Sequence, residues 1–340
     1  MESVFQRARA HQIAGRLDEA EPLYLEAAGW KPEWTLGNLG VIYRVTGRLE
    51  EAKGVLRRAL AVDPGNVPVR HTLGMTLLQL GEYAEGWRHY DARHEMTPPK
   101  GPRLPMWRGE PLAGRRIVVV AEQGLGDQIL WSRYIPLLAR QAAEVVVASP
   151  RTLGRLFSQL PVRVVHPTSW DEVVADLWCP LGSVPRWLGA DIEGPPPSAL
   201  GSPTAARPAA GFGLMLQGAP SNANNANRLP GFGVARAIRG LADFVDLSPE
   251  ATGVGDFADT ARIVAGLEAV VTVDTSVAHL AGSMGKPCWV LMSRPAIDWY
   301  TNWNDDRTPW YPSVRLLRQR RAGDWAGVVA DLAAGLAAFS

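Results

Sequence analysis

The chain has 340 residues and a formal net charge of +1 at pH 7. That length suits about two or three domains and a sizeable core, and the charge balance sets aside a basic nucleic-acid binder or an acidic tail. Cys179 and Cys288, the only 2 cysteines, lie far apart among apolar neighbours, which reads as buried thiols in a reducing compartment rather than a disulfide framework or zinc site. The polar start "MESVFQRARAHQ" carries no secretory signal, and no run of about 18 apolar residues occurs. The expectation is a cytoplasmic protein with no transmembrane segment and no nucleic-acid partner.

In chain order, the first hundred or so residues repeat themselves. "GRLDEAEPLYLEAAGWKP" (15–32) matches "GRLEEAKGVLRRALAVDP" (47–64) and, more loosely, "GEYAEGWRHYDARHEMTP" (81–98). Each begins with Gly at a helix–helix turn and ends near a helix-stopping Pro. Gly40, Tyr43, Ala52, Ala59 and Pro64 stand at the small and aromatic positions of the tetratricopeptide repeat, which this region resembles. Small residues let paired helices approach closely, and such an array implies a protein partner or a presented acceptor.

The proline-rich stretch "PPKGPRLPMWRGEPL" (98–112) excludes helix and reads as a connector. Short strands then alternate with helices. The candidates are "RIVVVAE", "EVVVAS", "VRVVHP" and "DLWCPLG", followed after a Gly/Pro/Ala stretch by "FGLMLQG", "DFVDLS", "AVVTVDT", "CWVLMS" and "VRLLRQ". Alternation of this kind implies parallel sheets covered on both faces. The expected division is repeats at 1–97, connector at 98–112, a Rossmann-like domain at 113–193, a linker at 194–211, a second Rossmann-like domain at 212–322 and a terminal helix at 323–340.

Four stretches can carry chemistry. "AEQGLGDQILW" joins a strand to a helix through Gly-Leu-Gly-Asp, yet lacks the third glycine of a dinucleotide fingerprint and the Gly-Lys-Ser/Thr of a P-loop. Asp127 either caps the following helix or acts as a base toward an acceptor hydroxyl. In "VVTVDTSVAHLAGSMGKP" an apolar strand ends at Asp274, read as the helix cap, while Thr275, Ser276 and the helix-start N–H groups form an anion site. His279, four residues after Thr275, is either packed or on the ligand's side. "LQGAPSNANNANRLP" offers Gly218, Asn225 and the cation Arg228, either wrapped round a phosphate or simply solvated. In "GVGDFADTARIVAGL" one of Asp256 and Asp259 caps a helix and the other can reach a sugar hydroxyl. Asp-x-Asp, His-Glu-x-x-His and Gly-x-Ser-x-Gly are all missing from the sequence, which turns the reading away from metal-dependent sugar transferases, zinc peptidases and α/β-hydrolases.

Together these clusters resemble glycosyltransferase family 9, the heptosyltransferase-like group, above all bacterial proteins that place tetratricopeptide repeats ahead of such a domain. The likeness is carried by "MWRGEPLAGRRIVVVAEQGLGDQILWSRYIPLL", "GVGDFADTARIVAGLEAVVTVDTSVAHLAGSMGKPCWVL" and "TPWYPSVRLLRQ". It implies a fold of helical repeats followed by a GT-B body, with two Rossmann-like domains across a cleft. It also implies transfer from a nucleotide-sugar donor to a protein or glycan acceptor, without metal or other cofactor. Gln123, Gly124 and Gly126 then belong to the acceptor side, with Asp127 as general base. Gly218, Asn225, Arg228, Asp256, Asp274, Thr275, Ser276, His279 and Leu280 belong to the donor side. The sequence departs from the family at Asn222-Ala223-Asn224-Asn225, where charged residues are usual. That departure leaves open an adaptor that binds a partner through its repeats and keeps a degenerate transferase body.

Overall fold

A computed structural model describes residues 2–189, 194–205, 211–219, 225–295, 300 and 306–339. The helical repeats form one compact unit and the α/β body another.

In the repeat unit, helices pair as hairpins: α1 (Glu2–Ile13) with α2 (Leu17–Ala28), α3 (Pro32–Val45) with α4 (Leu49–Val62), and α5 (Val67–Leu80) with α6 (Tyr83–Tyr90). A short α7 (Arg93–Met96) follows. The hairpin turns fall on Gly15, Gly47 and Gly81, at φ 74°, 90° and 82°, a left-handed backbone that other residues rarely adopt. Close approach explains the other small residues. A Cβ on Gly40 would lie 2.4 Å from the Leu56 side chain, and one on Gly74 would lie 2.3 Å from the Tyr90 backbone nitrogen. Tyr24, Leu39, Ile42, Ala52, Leu56 and Leu73 form the centre of one continuous core.

The body contains two parallel sheets. The first comprises β1 (Arg116–Val120), β2 (Glu144–Ala148), β3 (Arg163–Val165) and β4 (Leu177–Pro180). Its helices are α8 (Leu125–Trp131), α9 (Ile135–Ala139), α10 (Arg151–Phe157) and α11 (Val184–Trp187). The second comprises β5 (Phe212–Met215), β6 (Phe244–Asp246), β7 (Ala269–Val273), β8 (Cys288–Met292) and β9 (Val314–Arg318). Its helices are α12 (Asn225–Arg228), α13 (Phe232–Arg239), α14 (Pro249–Thr252), α15 (Phe257–Gly266), α16 (Ser276–Ser283) and α17 (Trp325–Phe339). Each strand candidate of the sequence appears as a strand, and the expected fold class, helical repeats followed by two parallel Rossmann-like units, is the one observed.

The strand orders are β3-β2-β1-β4 and β6-β5-β7-β8-β9, and every pairing of these strands is parallel. The order reverses between β1 and β4 in the first sheet and between β5 and β7 in the second. At such switch points the connections leave toward opposite faces, opening a crevice beyond the carboxyl ends of the strands. The terminal helix α17 packs Trp325, Val328, Leu332 and Leu336 into the core of the second sheet, as its apolar sequence demands. The connector does more than span a gap. Met106 bridges to Trp178 in parallel register and the Trp107 N–H donates to Trp178 O at 2.8 Å, so it covers the open edge of β4. Among the described residues no helix is long and apolar enough to cross a membrane.

Candidate functional site

At the first switch point, the chain leaves β1 through Glu122, Gln123 and Gly124. Glu122 Oε1 accepts the Gly182 N–H at 3.0 Å, so a carboxylate fills the crevice between β1 and β4. Gln123 holds φ 59°, the one non-glycine residue in left-handed backbone among those described. The Gly124 N–H then donates to Asp127 Oδ2 at 3.1 Å. This is why an anion-binding type of turn carries its own carboxylate: Asp127 occupies the place at the start of α8 that a phosphate would take. Asp127 is half-buried, and desolvation pushes its carboxyl up to about 6, with the Gly124 N–H opposing and the negative charge of Asp274 adding to the rise.

At the second switch point the occupant is a cation. Arg228, from α12, donates through Nε to Asn225 Oδ1 at 2.9 Å and through Nη1 to the carbonyl of Asp274 at the end of β7. Asn225 Nδ2 donates to Ala219 O at 2.8 Å, tying the loop after β5 to the same cluster. Gly218 is glycine because a Cβ there would lie 2.2 Å from Arg228 Nη2. The structure therefore brings Gly218, Asn225, Arg228 and Asp274 together; Asn222 and Asn224 lie outside the described residues.

One expectation is corrected at α16. The N-cap is Thr275, not Asp274: Thr275 keeps extended backbone (φ −142°, ψ 171°), and its Oγ1 accepts the Val277 N–H at 3.3 Å. The same hydroxyl lies 3.0 Å from that of Thr272 and is buried, so it serves the fold rather than facing an anion. Leu280 is fully buried and offers no face to a ligand. Asp256 is the cap of α15, accepting from the N–H groups of Ala258 and Asp259 at 2.9 and 3.0 Å. Its second oxygen and that of Asp259 both pair with Arg155 of α10, at 3.1 and 3.0 Å, joining the rims of the two halves.

The starts of α8 and α16 meet. A Cβ on Gly126 would lie 2.6 Å from His279 Cδ2 and 3.4 Å from Ser276 Cα, so glycine is what lets the two turns touch. His279 is buried and hydrogen-bonded through Nδ1 to the Tyr311 hydroxyl at 3.1 Å. Burial, aided by the charge on Arg133, pushes its imidazole down to about 3, so it is neutral at any working pH. Burial likewise pushes the Tyr311 phenol up to about 12.

Sequence reasoning missed Arg133, Arg155 and Tyr311. Arg133 and Tyr311 lie inside stretches quoted for the family resemblance, and a signal for Arg133 existed: one cation in the mostly apolar run 129–138 that follows Asp127. Arg155 gave no such signal, because its carboxylate partners lie 101 and 104 residues away in sequence.

The tetratricopeptide repeat family model matches residues 34–62, which cover most of α3 and all of α4. The α3–α4 hairpin is thus similar to a tetratricopeptide repeat. The chain is also 26% identical over 330 residues to Protein FlbA of Caulobacter vibrioides, an alignment covering 78% of this chain and 54% of FlbA. It thus spans about half the length of that curated relative. Among solved structures, the ADP-heptose lps heptosyltransferase II of E. coli is similar at 16% identity and a TM-score of 0.43, over 66% of this chain and 99% of that one. A mutant O-GlcNAc transferase of Thermobaculum terrenum aligns at 16% identity and a TM-score of 0.28, over 99% of this chain and 90% of that one.

Proposed function

We propose that the α/β body is a glycosyltransferase that moves a sugar from a nucleotide-sugar donor to a protein or glycan acceptor presented with the help of the repeats. The observation that supports this best is the meeting of two switch-point turns of opposite character: a raised carboxyl, Asp127, on one side, and a helix start with an adjacent guanidinium, Arg228, on the other. In the proposed step Asp127 takes the proton of an acceptor hydroxyl, and that oxygen attacks the anomeric carbon. The bond from that carbon to the nucleotide diphosphate breaks, and the charge on the leaving diphosphate falls to the N–H groups at the start of α16 and to Arg228. A carboxyl near 6 is mostly ionised at pH 7 yet basic enough to accept the proton. This chemistry needs no metal.

The test is a thermal-shift screen against a panel of nucleotide-sugars and their free nucleoside diphosphates, followed by transfer with the best donor in excess EDTA. A bound donor at about 100 times its Kd adds roughly 2.7 kcal/mol to stability, well within reach of the method. We expect one nucleotide class to raise the midpoint and transfer to survive chelation. Loss of transfer restored by magnesium or manganese would contradict the metal-free reading. One observation favours a second reading, a non-catalytic adaptor: Arg228 is already engaged by the Asp274 carbonyl and Asn225. A panel in which no nucleotide binds, together with a protein captured by the repeats, would favour that reading.

A further inference from the structure

Arg133 is 3% exposed, and what holds it is unusual for a buried cation. Among the described residues its partners are carbonyls and rings, not a carboxylate. Nε donates to Leu130 O at 2.9 Å, and Nη1 donates to Pro196 O at 3.1 Å and to Trp310 O at 2.9 Å. The guanidinium carbon lies 4.9 Å from the centre of the Tyr311 ring and 5.3 Å from that of Trp310. A buried charge without a counter-charge carries a desolvation cost that apolar packing of similar volume would avoid. Such a cost points to a role beyond stability.

The contacts close a circuit. Arg133 stands in the 3-10 turn Ser132–Tyr134, which continues directly from α8, the helix bearing Asp127. From there it reaches across to the segment between β8 and β9, bonding Trp310 and lying over Tyr311. The Tyr311 ring lies on α16 at Gly282, where a Cβ would be 2.5 Å from it. The Tyr311 hydroxyl bonds His279 Nδ1, and the His279 ring closes on Gly126, next to Asp127. Helix α8 is thus gripped at both ends by the second sheet's half, once through Arg133 and once through His279.

We propose that Arg133 is a positioning residue that acts through Tyr311 and His279 to hold the Asp127 carboxyl at a fixed place against the start of α16. This rests on the reading of Asp127 as the base, but the geometry can be tested without turnover. The carboxyl is raised mainly by exclusion of water, with Asp274 and Glu122 as the acidic neighbours and Arg133, His279 and Tyr311 closing the seam. If the circuit loosens, water reaches the carboxyl and its ionisation moves back toward the ordinary carboxylate range.

The experiment is a carbon-detected NMR titration of the Asp127 carboxyl in the full chain, in wild type, Arg133→Lys, Tyr311→Phe and the double variant, with folding checked by circular dichroism. Lysine keeps the charge but cannot bond both carbonyls and stack. Phenylalanine keeps the ring and loses only the hydroxyl. Each single variant should lower the Asp127 midpoint by about one pH unit or more, with the double variant no lower than the singles, because both cut one circuit. An unchanged midpoint in folded variants, as a merely structural arginine would give, or additive shifts, would overturn the proposal. If Arg133→Lys does not fold, Tyr311→Phe decides alone. A coupled midpoint together with normal turnover in Asp127→Asn would leave the positioning intact and remove the base.

Discussion

The two switch-point turns share a plan, a parallel strand running into a helix, and differ in what they place at the crevice. After β1 the chain fills the crevice with Glu122 and caps its own helix with Asp127. After β7 the helix is capped by a neutral hydroxyl, Thr275, and the crevice is spanned by Arg228. The same backbone device thus sets a carboxylate at the crevice in one half and a guanidinium in the other. Fold alone does not decide what a strand-to-helix turn binds; one or two side chains beside it do.

The comparison breaks most sharply at Asp127. Asp127→Asn should cut turnover about 100-fold or more, the usual scale for a lost general base, as measured by transfer from the donor found in the nucleotide panel. The same variant should be more stable than wild type at pH 7. The folded carboxyl titrates near 6, above its unfolded value of about 3.9, so the folded state binds more protons between those values and this group's contribution falls as pH rises through that window. The gain from Asn, on the order of 1 kcal/mol in chemical denaturation at pH 7, should therefore shrink as pH falls from 6 to 4. A variant that loses both turnover and stability would mark Asp127 as a structural cap.

On the other side, Arg228→Ala should weaken binding of a nucleoside diphosphate by about 1.5–3 kcal/mol, the range for a charge-assisted bond, as read by calorimetry. Unchanged affinity would reduce Arg228 to a strut between Asn225 and Asp274. Gly126→Ala tests the contact between the turns. Alanine is no worse than glycine in a helix, so a loss of about 1–3 kcal/mol in denaturant unfolding would be steric, from the clash with His279. A neutral result would mean that the seam opens freely. The smallest effect belongs to Arg155→Ala. Its pairs with Asp256 and Asp259 lie at an exposed rim and Asp256 keeps its capping role, so the thermal midpoint should hardly move.

Much of this was legible in the sequence because it depends on local chemistry. Glycines at repeat turns, β-branched runs and proline-rich breaks each act within a few residues, and every strand followed from them. The position of Asp127 at a helix start was legible for the same reason. What was not legible depends on contacts distant in sequence. Thr275 rather than Asp274 caps α16 because the chain turns one residue later than the end of the apolar run suggests. The clasp of Arg155 on two aspartates and the reach of Arg133 to Trp310 arise only when the halves of the body pack. The connector's pairing with β4 was hidden because its prolines rightly excluded helix and gave no sign of an edge contact.

The most direct test of Asp127 as a base set against a turn proposed to bind an anion is the pH dependence of transfer at limiting donor and acceptor. As pH falls, Asp127 takes up a proton and can no longer accept one from the acceptor, so log kcat/KM, which reports the free enzyme, should bend downward with a midpoint near 6 in the wild type. The bend should be missing from the residual activity of Asp127→Asn. A profile that is flat from pH 8 down to 5, or one whose acid limb persists in Asp127→Asn, would contradict the assignment.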